Sequence, residues 1–507
     1  MKNNFLKKAG AILLLMAILY GQFGCNKFLD RKPLGQATAE DLAQGGLVDQ
    51  VFGLYSATWS YWGMTQLPFI TAHASRADDA YISTPGDGNS DFIDNYNYTK
   101  DYWLMEGLWE DHLKFISLAS GVIKDADSIY SKDPTTAVNK AEATFLRAYA
   151  YFDMVRDYGG VPKLDFKIYS PEQANKPRAS EAEIYALIES DLLFAVQNLP
   201  QSWEAKYAGR ATKGAANAFL AKVNLYQKKW AAALSGAEVV ISSGQYALLP
   251  NFADVFTEEQ ENGRESIFEI QNYVNANGSI GAYGSLGNWS AGYQGVRGAG
   301  QWDLGWGWNI PSQGLVDTAF EANDPRLGQT VLFSGKPDDY LISDGKFGAT
   351  LPPSIWPYFN KKVYSNPARR ASTSDNSGSW LDMIIMRYSD VLLIAAEAAN
   401  ESGNTAKALG YLEQVRARAR KGQNVLPQIT STDQAVVRKA IKKERRAEFA
   451  LEYERFYDLV RWTPATDKID APNVLGPLGY TSKNALLPIP QSAMDKSNGV
   501  LTQNPGY

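Results

Sequence analysis

The chain has 507 residues, 45% of them apolar and 21% charged, with a formal net charge of -5. That length is ample for a large core and exceeds most single domains. The acidic balance excludes nucleic acid as the main partner, because neutralising phosphates needs a basic surface.

At the N-terminus, Lys2, Lys7 and Lys8 flank an apolar run from Ala9 to Tyr20 (AGAILLLMAILY). About 12 residues are too few to cross a hydrocarbon core of roughly 30 Å as a helix, so residues 1–24 are predicted to be a signal peptide. Cys25 is the only cysteine and has no disulfide partner within the chain. Its position after Gly21 and Gly24 matches a bacterial lipoprotein site, with Gln22 and Phe23 where Leu and a small residue are usual. The alternative is ordinary secretion with a free thiol. Residues 25–33 then form a lipidated tether, and 34–507 a single domain.

Two long stretches carry the helical period. In Lys140 to Tyr158, Phe145, Tyr149, Phe152 and Val155 recur at steps of three or four and predict one buried helix face. Gly159-Gly160 and Pro162 stop that helix. Ser180 opens the next with Glu183 in a capping box, and Ile184, Leu187, Ile188, Leu192 and Val196 form its stripe. Thr212 to Ser243 reads as a helical hairpin turning near Lys228-Lys229, with small residues at the crossing, as in a tetratricopeptide unit. Arg387 to Arg420 repeats that plan around Gly403-Asn404. A fifth helical stretch runs from Thr432 to about Trp462. Because a long stretch separates the two hairpins, a clean solenoid is not expected. Tyr246 to Trp380 is rich in Gly, Asn, Ser, Pro and aromatics, and predicts long loops with short strands over a helical scaffold.

The aromatic content stands out, with 13 Trp and 28 Tyr. Such rings pair a flat apolar face with a polar edge, which suits wet binding surfaces as well as bulky cores. Trp289, Tyr293, Trp302, Trp306 and Trp308 lie in a Gly-rich run with no helical or alternating period. Asn288, Arg297, Gln301 and Asp303 stand among them. This is the first candidate ligand wall; its alternative is that the rings tuck loops onto the scaffold. A second candidate wall is Trp59 to Trp103, with Tyr61, Trp62, Tyr81, Tyr96, Tyr98 and Trp103, and with Arg76, Asp78 and Asp79 as polar groups.

Signals for chemistry are weak. The two histidines, His73 and His112, belong to no H-E-x-x-H pattern, and there is no G-x-S-x-G or phosphate loop. Acidic pairs suitable for glycoside hydrolysis cannot be placed by sequence alone. Asp87-Gly88-Asn89-Ser90-Asp91 opens like a calcium loop, but Phe92 and Tyr98 stand where glycine and a bidentate Glu are needed, so a polar turn is expected. The run Lys442-Lys443-Glu444-Arg445-Arg446, with Glu448, Glu452, Arg455, Asp458 and Arg461, predicts a structural ion network and no ligand role. No catalytic residue, metal site or cofactor is assigned.

Several segments together resemble the SusD/RagB family of outer-membrane lipoproteins. They are Phe28-Leu29-Asp30, Ala143 to Pro162 (ATFLRAYAYFDMVRDYGGVP) and Gly209 to Tyr226 (GRATKGAANAFLAKVNLY). They continue with Asn323 to Arg326, Arg387 to Glu397 (RYSDVLLIAAE) and Glu444 to Trp462 (ERRAEFALEYERFYDLVRW). Leu487 to Pro490 and Leu501 to Tyr507 (LTQNPGY) complete the set. The resemblance implies a mainly α fold of about four TPR-like hairpins, with a loop-rich, ligand-binding region over about 246–380. It also implies a lid on a SusC-like TonB-dependent transporter barrel in the outer membrane, capturing oligosaccharides without cleaving them. A member tuned to peptides is the alternative, and a glycoside hydrolase is a weaker one. The candidate contacts are Trp289, Tyr293, Trp302, Asp303, Trp306 and Trp308, with Arg76, Asp78, Tyr81, Tyr96 and Trp103; Cys25 is the lipidation site.

Overall fold

The computed structural model describes residues 46–58, 64–65, 67–82, 91–272, 288–297, 304–334, 356–364 and 379–507. The signal peptide, Cys25 and the tether lie outside the described residues, as do Trp59, Tyr61, Trp62, Asp87 to Ser90, Gln301, Trp302 and Asp303.

Helices α1 (Leu47–Ala57) and α2 (Leu67–His73) precede the long helices α3 (Trp103–Asp127) and α4 (Thr136–Tyr158). α4 carries more than the expected apolar face. Every residue from Ala141 to Val155 is buried, Glu142, Arg147 and Asp153 included. The reason is its position, with α1, α3 and α5 (Glu181–Asn198) packed around it. Fully burying an apolar side chain such as Phe145 contributes roughly 1.5–3 kcal/mol, and its ring meets Phe219 and Phe268 edge-on at 5.3 and 5.0 Å. The buried charges are paired: Arg147 grips Asp191 of α5 with two 2.7 Å bonds, and Arg210, on the chain after α5, holds Glu142. α4 stops at Gly159, which adopts φ +70°. The Ser180–Glu183 capping box opens α5 with both of its bonds formed.

α6 (Lys213–Tyr226) and α7 (Trp230–Ser242) make the predicted hairpin. They approach closely where Gly236 faces Ala221, leaving 3.2 Å for an added Cβ. α7 then packs directly on α9 (Tyr388–Glu401), which pairs with α10 (Thr405–Arg420) and α11 (Gln434–Phe449). The helices therefore stack without a break in space, contrary to the expectation drawn from their separation in sequence. The intervening chain loops out and returns, because β2 (Ser266–Ile270) pairs antiparallel with β6 (Met383–Arg387) and brings α9 back onto α7.

The expected fifth helix is two helices. α11 ends at Phe449 and α12 (Arg455–Arg461) starts anew, with Leu451 and Tyr453 between them at φ +65° and +70°. The α11 end is held by cations: Arg387 and Lys362 donate to the Glu448 carbonyl at 2.8 and 2.9 Å, satisfying a helix-end acceptor and matching the dipole. The charged run of α11 forms an ion network that is buried except at Lys443, which is exposed, and Arg446, which is half-buried, and its partners lie mostly on other elements. Glu444 and Glu448 bind Arg326, Arg416, Arg387 and Arg418. Arg445 reaches Asp390 and Asp458, each at 2.8 Å.

Among the described residues, the strands form three two-stranded antiparallel ribbons. Besides β2–β6 these are β1 (Ala80–Tyr81) with β3 (Ile310–Pro311), and β4 (Val331–Phe333) with β5 (Tyr358–Asn360).

Candidate functional site

The two aromatic stretches of the sequence meet at the β1–β3 ribbon. Tyr81 pairs with Ile310, and flanking bonds from Asn309 N to Ile82 O and from Ser312 N to Asp79 O, both 2.9 Å, extend the contact. Just before β3, residues 304–308 run as a strap along helix α8 (Trp289–Gln294) and its end. Leu304, Trp306, Gly307 and Trp308 donate to the carbonyls of Val296, Gly292, Gly295 and Tyr293 at 2.8–3.1 Å. The strap thereby takes up acceptors at the α8 C-terminus that would otherwise need water.

Two glycines make this possible. A Cβ on Gly295 would sit 2.2 Å from the Leu304 carbonyl oxygen, and one on Gly305 would sit 2.1 Å from that of Gly292. These glycines let backbone pack on backbone.

The rings of the run divide by burial. Trp289 and Tyr293 are in the main core, and Trp308 is half-buried with its ring 5.3 Å from that of Tyr293. Trp306 is 48% exposed. In the earlier stretch, Tyr81 is 46% and Trp103 44% exposed, whereas Tyr96 is buried and its hydroxyl donates to the Arg76 carbonyl. Phe92 is also exposed, and Asp94, two residues on, accepts from Ile82 N at 3.0 Å and clasps its segment to the end of β1. Phe92 escaped the sequence reading; it registered only as the residue that spoils a calcium loop.

The charged candidates are engaged inside the fold. Arg76 is buried under the ring of Phe456 at 4.0 Å, paired with Asp157, and donates to Ala72 O at 2.7 Å. Asp78 binds Arg446 and Arg455, each at 2.8 Å, and Asp79 binds Arg446 at 2.9 Å. Burial tends to raise Asp78, but Arg455 and Arg446 hold it below its ordinary value. Asp79, deeper, is pushed up by burial despite Arg446. These residues anchor the wall to α11 and α12. The ribbon itself rests on a neutral hub: Gln294 accepts from Asn309 and Asn360 at 2.6 and 2.8 Å and donates to the Tyr453 hydroxyl at 2.7 Å. Nothing in the sequence pattern marked that hub, since its members come from four separate segments.

His73 and His112 are buried against Asp157 and Asp153 at 3.1 and 3.7 Å. Burial lowers the His73 pKa in spite of Asp157. Among the described residues, no group of three His, Cys, Asp or Glu side chains is arranged to hold a metal ion.

A scaffold of stacked helical pairs carrying a loop-built aromatic wall defines the class of this protein. Residues 254–507 match the SusD family model, and residues 27–225 match a SusD-like model described as "Starch-binding associating with outer membrane". The chain belongs to the SusD/RagB family. It is 28% identical to SusD-like protein P2 of Formosa agariphila, across 98% of both chains. It is 26% identical to a SusD-like protein of Bacteroides ovatus, covering 90% of this chain and 83% of that one. Among solved structures, a laminarin-binding SusD-like protein superposes with a TM-score of 0.74 at 26% identity, over 91% of this chain and 99% of the other. The surface glycan-binding protein A of Bacteroides thetaiotaomicron shares the fold, with a TM-score of 0.75 at 23% identity, over 92% and 99% of the two chains.

Proposed function

We propose that this protein is a lipid-anchored, surface-exposed glycan-binding protein of the outer membrane. It captures oligosaccharides on the aromatic wall at the β1–β3 ribbon and passes them, as a lid, to a SusC-like TonB-dependent transporter, without cleaving them. The observation that carries this reading is the pair of exposed rings, Tyr81 on β1 and Trp306 on the strap that leads into its partner strand β3. Sugar C–H faces pack on such rings while neighbouring polar groups bind hydroxyls. The exposed rings of Phe92 and Trp103 are further candidate contacts, as are Trp302 and Asp303, which directly precede Leu304 in sequence. The laminarin-binding relative of the same fold supports a glycan over a peptide.

The test is calorimetric titration of the purified protein with laminarihexaose, maltohexaose and cellohexaose, beside a tryptic peptide mixture, followed by chromatography of the bound sugar. Saturable binding of a glycan that is recovered intact is expected. Binding of peptides alone, or released shorter sugars that vanish on mutating one carboxylate, would overturn the reading.

A further inference from the structure

We propose that the protein has a second, separate saccharide site, in a cavity where the α5–α6 connection meets the start of β2. This goes beyond the aromatic wall and shares none of its rings. The cavity holds about 350 Å³, within the range of roughly 300–1,000 Å³ typical of small-ligand sites. Its lining includes two half-buried rings, Trp203 and Tyr246, and the amides Gln201, Gln245 and Asn262.

Both rings are fixed before any ligand arrives. The Trp203 indole N–H donates to Ala211 O at 2.8 Å, and the Tyr246 hydroxyl is bonded to the Thr212 hydroxyl at 3.0 Å. Rings held in this way lose little freedom on binding. Arg210 lies 3.8 Å over the Trp203 ring, but Glu142 neutralises its guanidinium through Nε at 2.9 Å and through a second nitrogen. It therefore backs the ring and leaves no strong anion site there.

The amides supply the polar chemistry. Asn262 and Gln271 hold each other through bonds of 2.8 and 3.1 Å. Gln245 donates to Gln201 O at 2.9 Å, which fixes its amide in the lining. Rigid rings and neutral amides suit a molecule with C–H faces and many hydroxyls. Arg264, exposed at the rim, would meet a uronate where one is present.

The experiment uses the protein labelled with 5-fluorotryptophan, with the Trp203 and Trp306 fluorine signals assigned by Trp203→Phe and Trp306→Phe. The probes are laminarihexaose, maltohexaose, cellohexaose, xylohexaose, hexagalacturonate and a mixture of tripeptides. At least one sugar is expected to shift the Trp203 signal saturably, and to do so equally in Trp306→Ala. Gln245→Ala should weaken that response by at least about fivefold with the Trp306 signal unaffected. A Trp203 signal unmoved by every sugar, or moved by tripeptides alone, overturns the second site. A Trp306 signal that stays still while Trp203 responds would count against the aromatic wall and leave this cavity standing.

Discussion

Trp306 and Trp289 share one glycine-rich run, and their surroundings give opposite expectations. Trp306 is half exposed on the strap, so Trp306→Ala should weaken oligosaccharide binding at least about tenfold, ~1.4 kcal/mol, with little change in melting temperature. Trp289 is packed in the main core, and truncating such a residue costs about 3–5 kcal/mol, so Trp289→Ala should lower the melting temperature first. Titration and thermal unfolding of both variants check this; normal binding with early melting for Trp306→Ala would make that ring a packing residue. Glu448 is a third residue with a distinct role, because Arg326, Arg387 and Arg418 all converge on its carboxylate. Stranding buried charges is worth about 3–5 kcal/mol. Glu448→Gln should therefore cost stability on that order in denaturant unfolding, with ligand binding by the folded fraction intact.

At the scale of elements, the strap along α8 depends on backbone contact that no side chain can share. Gly305→Ala puts a methyl group 2.1 Å from the Gly292 carbonyl oxygen, so the strap must lift from α8 and carry Trp306 with it. Binding should fall at least as far as in Trp306→Ala, while helical circular dichroism stays unchanged; full binding by this variant would show that the strap does not position the ring. The sequence readily disclosed elements whose stability is local. The α5 capping box, the α6–α7 turn and the α9–α10 hairpin announce themselves through caps, glycines and the 3.6-residue period. It concealed whatever depends on distant partners. The contact of α7 with α9 follows from the β2–β6 pairing, and the break between α11 and α12 follows from Arg387 and Lys362 seizing the Glu448 carbonyl. Arg76 and Asp78 looked like ligand groups because nothing local revealed Asp157, Arg446 and Arg455 waiting for them. In the candidate site, aromatic density pointed to two segments that the β1–β3 pairing brings together, yet periodicity could not separate exposed Tyr81 and Trp306 from buried Tyr96 and Tyr293.

For the whole molecule, the buried ion network predicts how stability depends on pH. Burial alone would raise Glu448, Asp390 and Asp157, but neighbouring cations more than offset it and hold all three well below the ordinary carboxylate range. The cations are Arg418, Arg387 and Arg326 for Glu448, Lys222 and Arg445 for Asp390, and Arg76, beside the His73 hydrogen bond, for Asp157. Groups depressed in the fold stabilise it fully above their unfolded values, near pH 4, and that stabilisation is lost as pH falls through the folded values. The melting temperature should thus decline gently below about pH 6.5, where the buried His73 resists the proton its unfolded form takes up, and drop steeply below about 4. Glu448→Gln should start lower and drop less, and a melting temperature that rises on acidification would refute the account. The anchor is the remaining property of the whole chain. One acyl chain holds a protein to a membrane only marginally, whereas several hold it stably. Cys25 is the only thiol available to take a diacylglycerol, so Cys25→Ala should move the protein from the membrane pellet to the soluble fraction. Its melting temperature and glycan binding should not change, because the tether precedes the helical stack. The fractionation belongs in cells lacking the proposed SusC-like barrel, since docking to it would itself retain the variant. If the variant still pellets with membranes there, Cys25 is not the anchor.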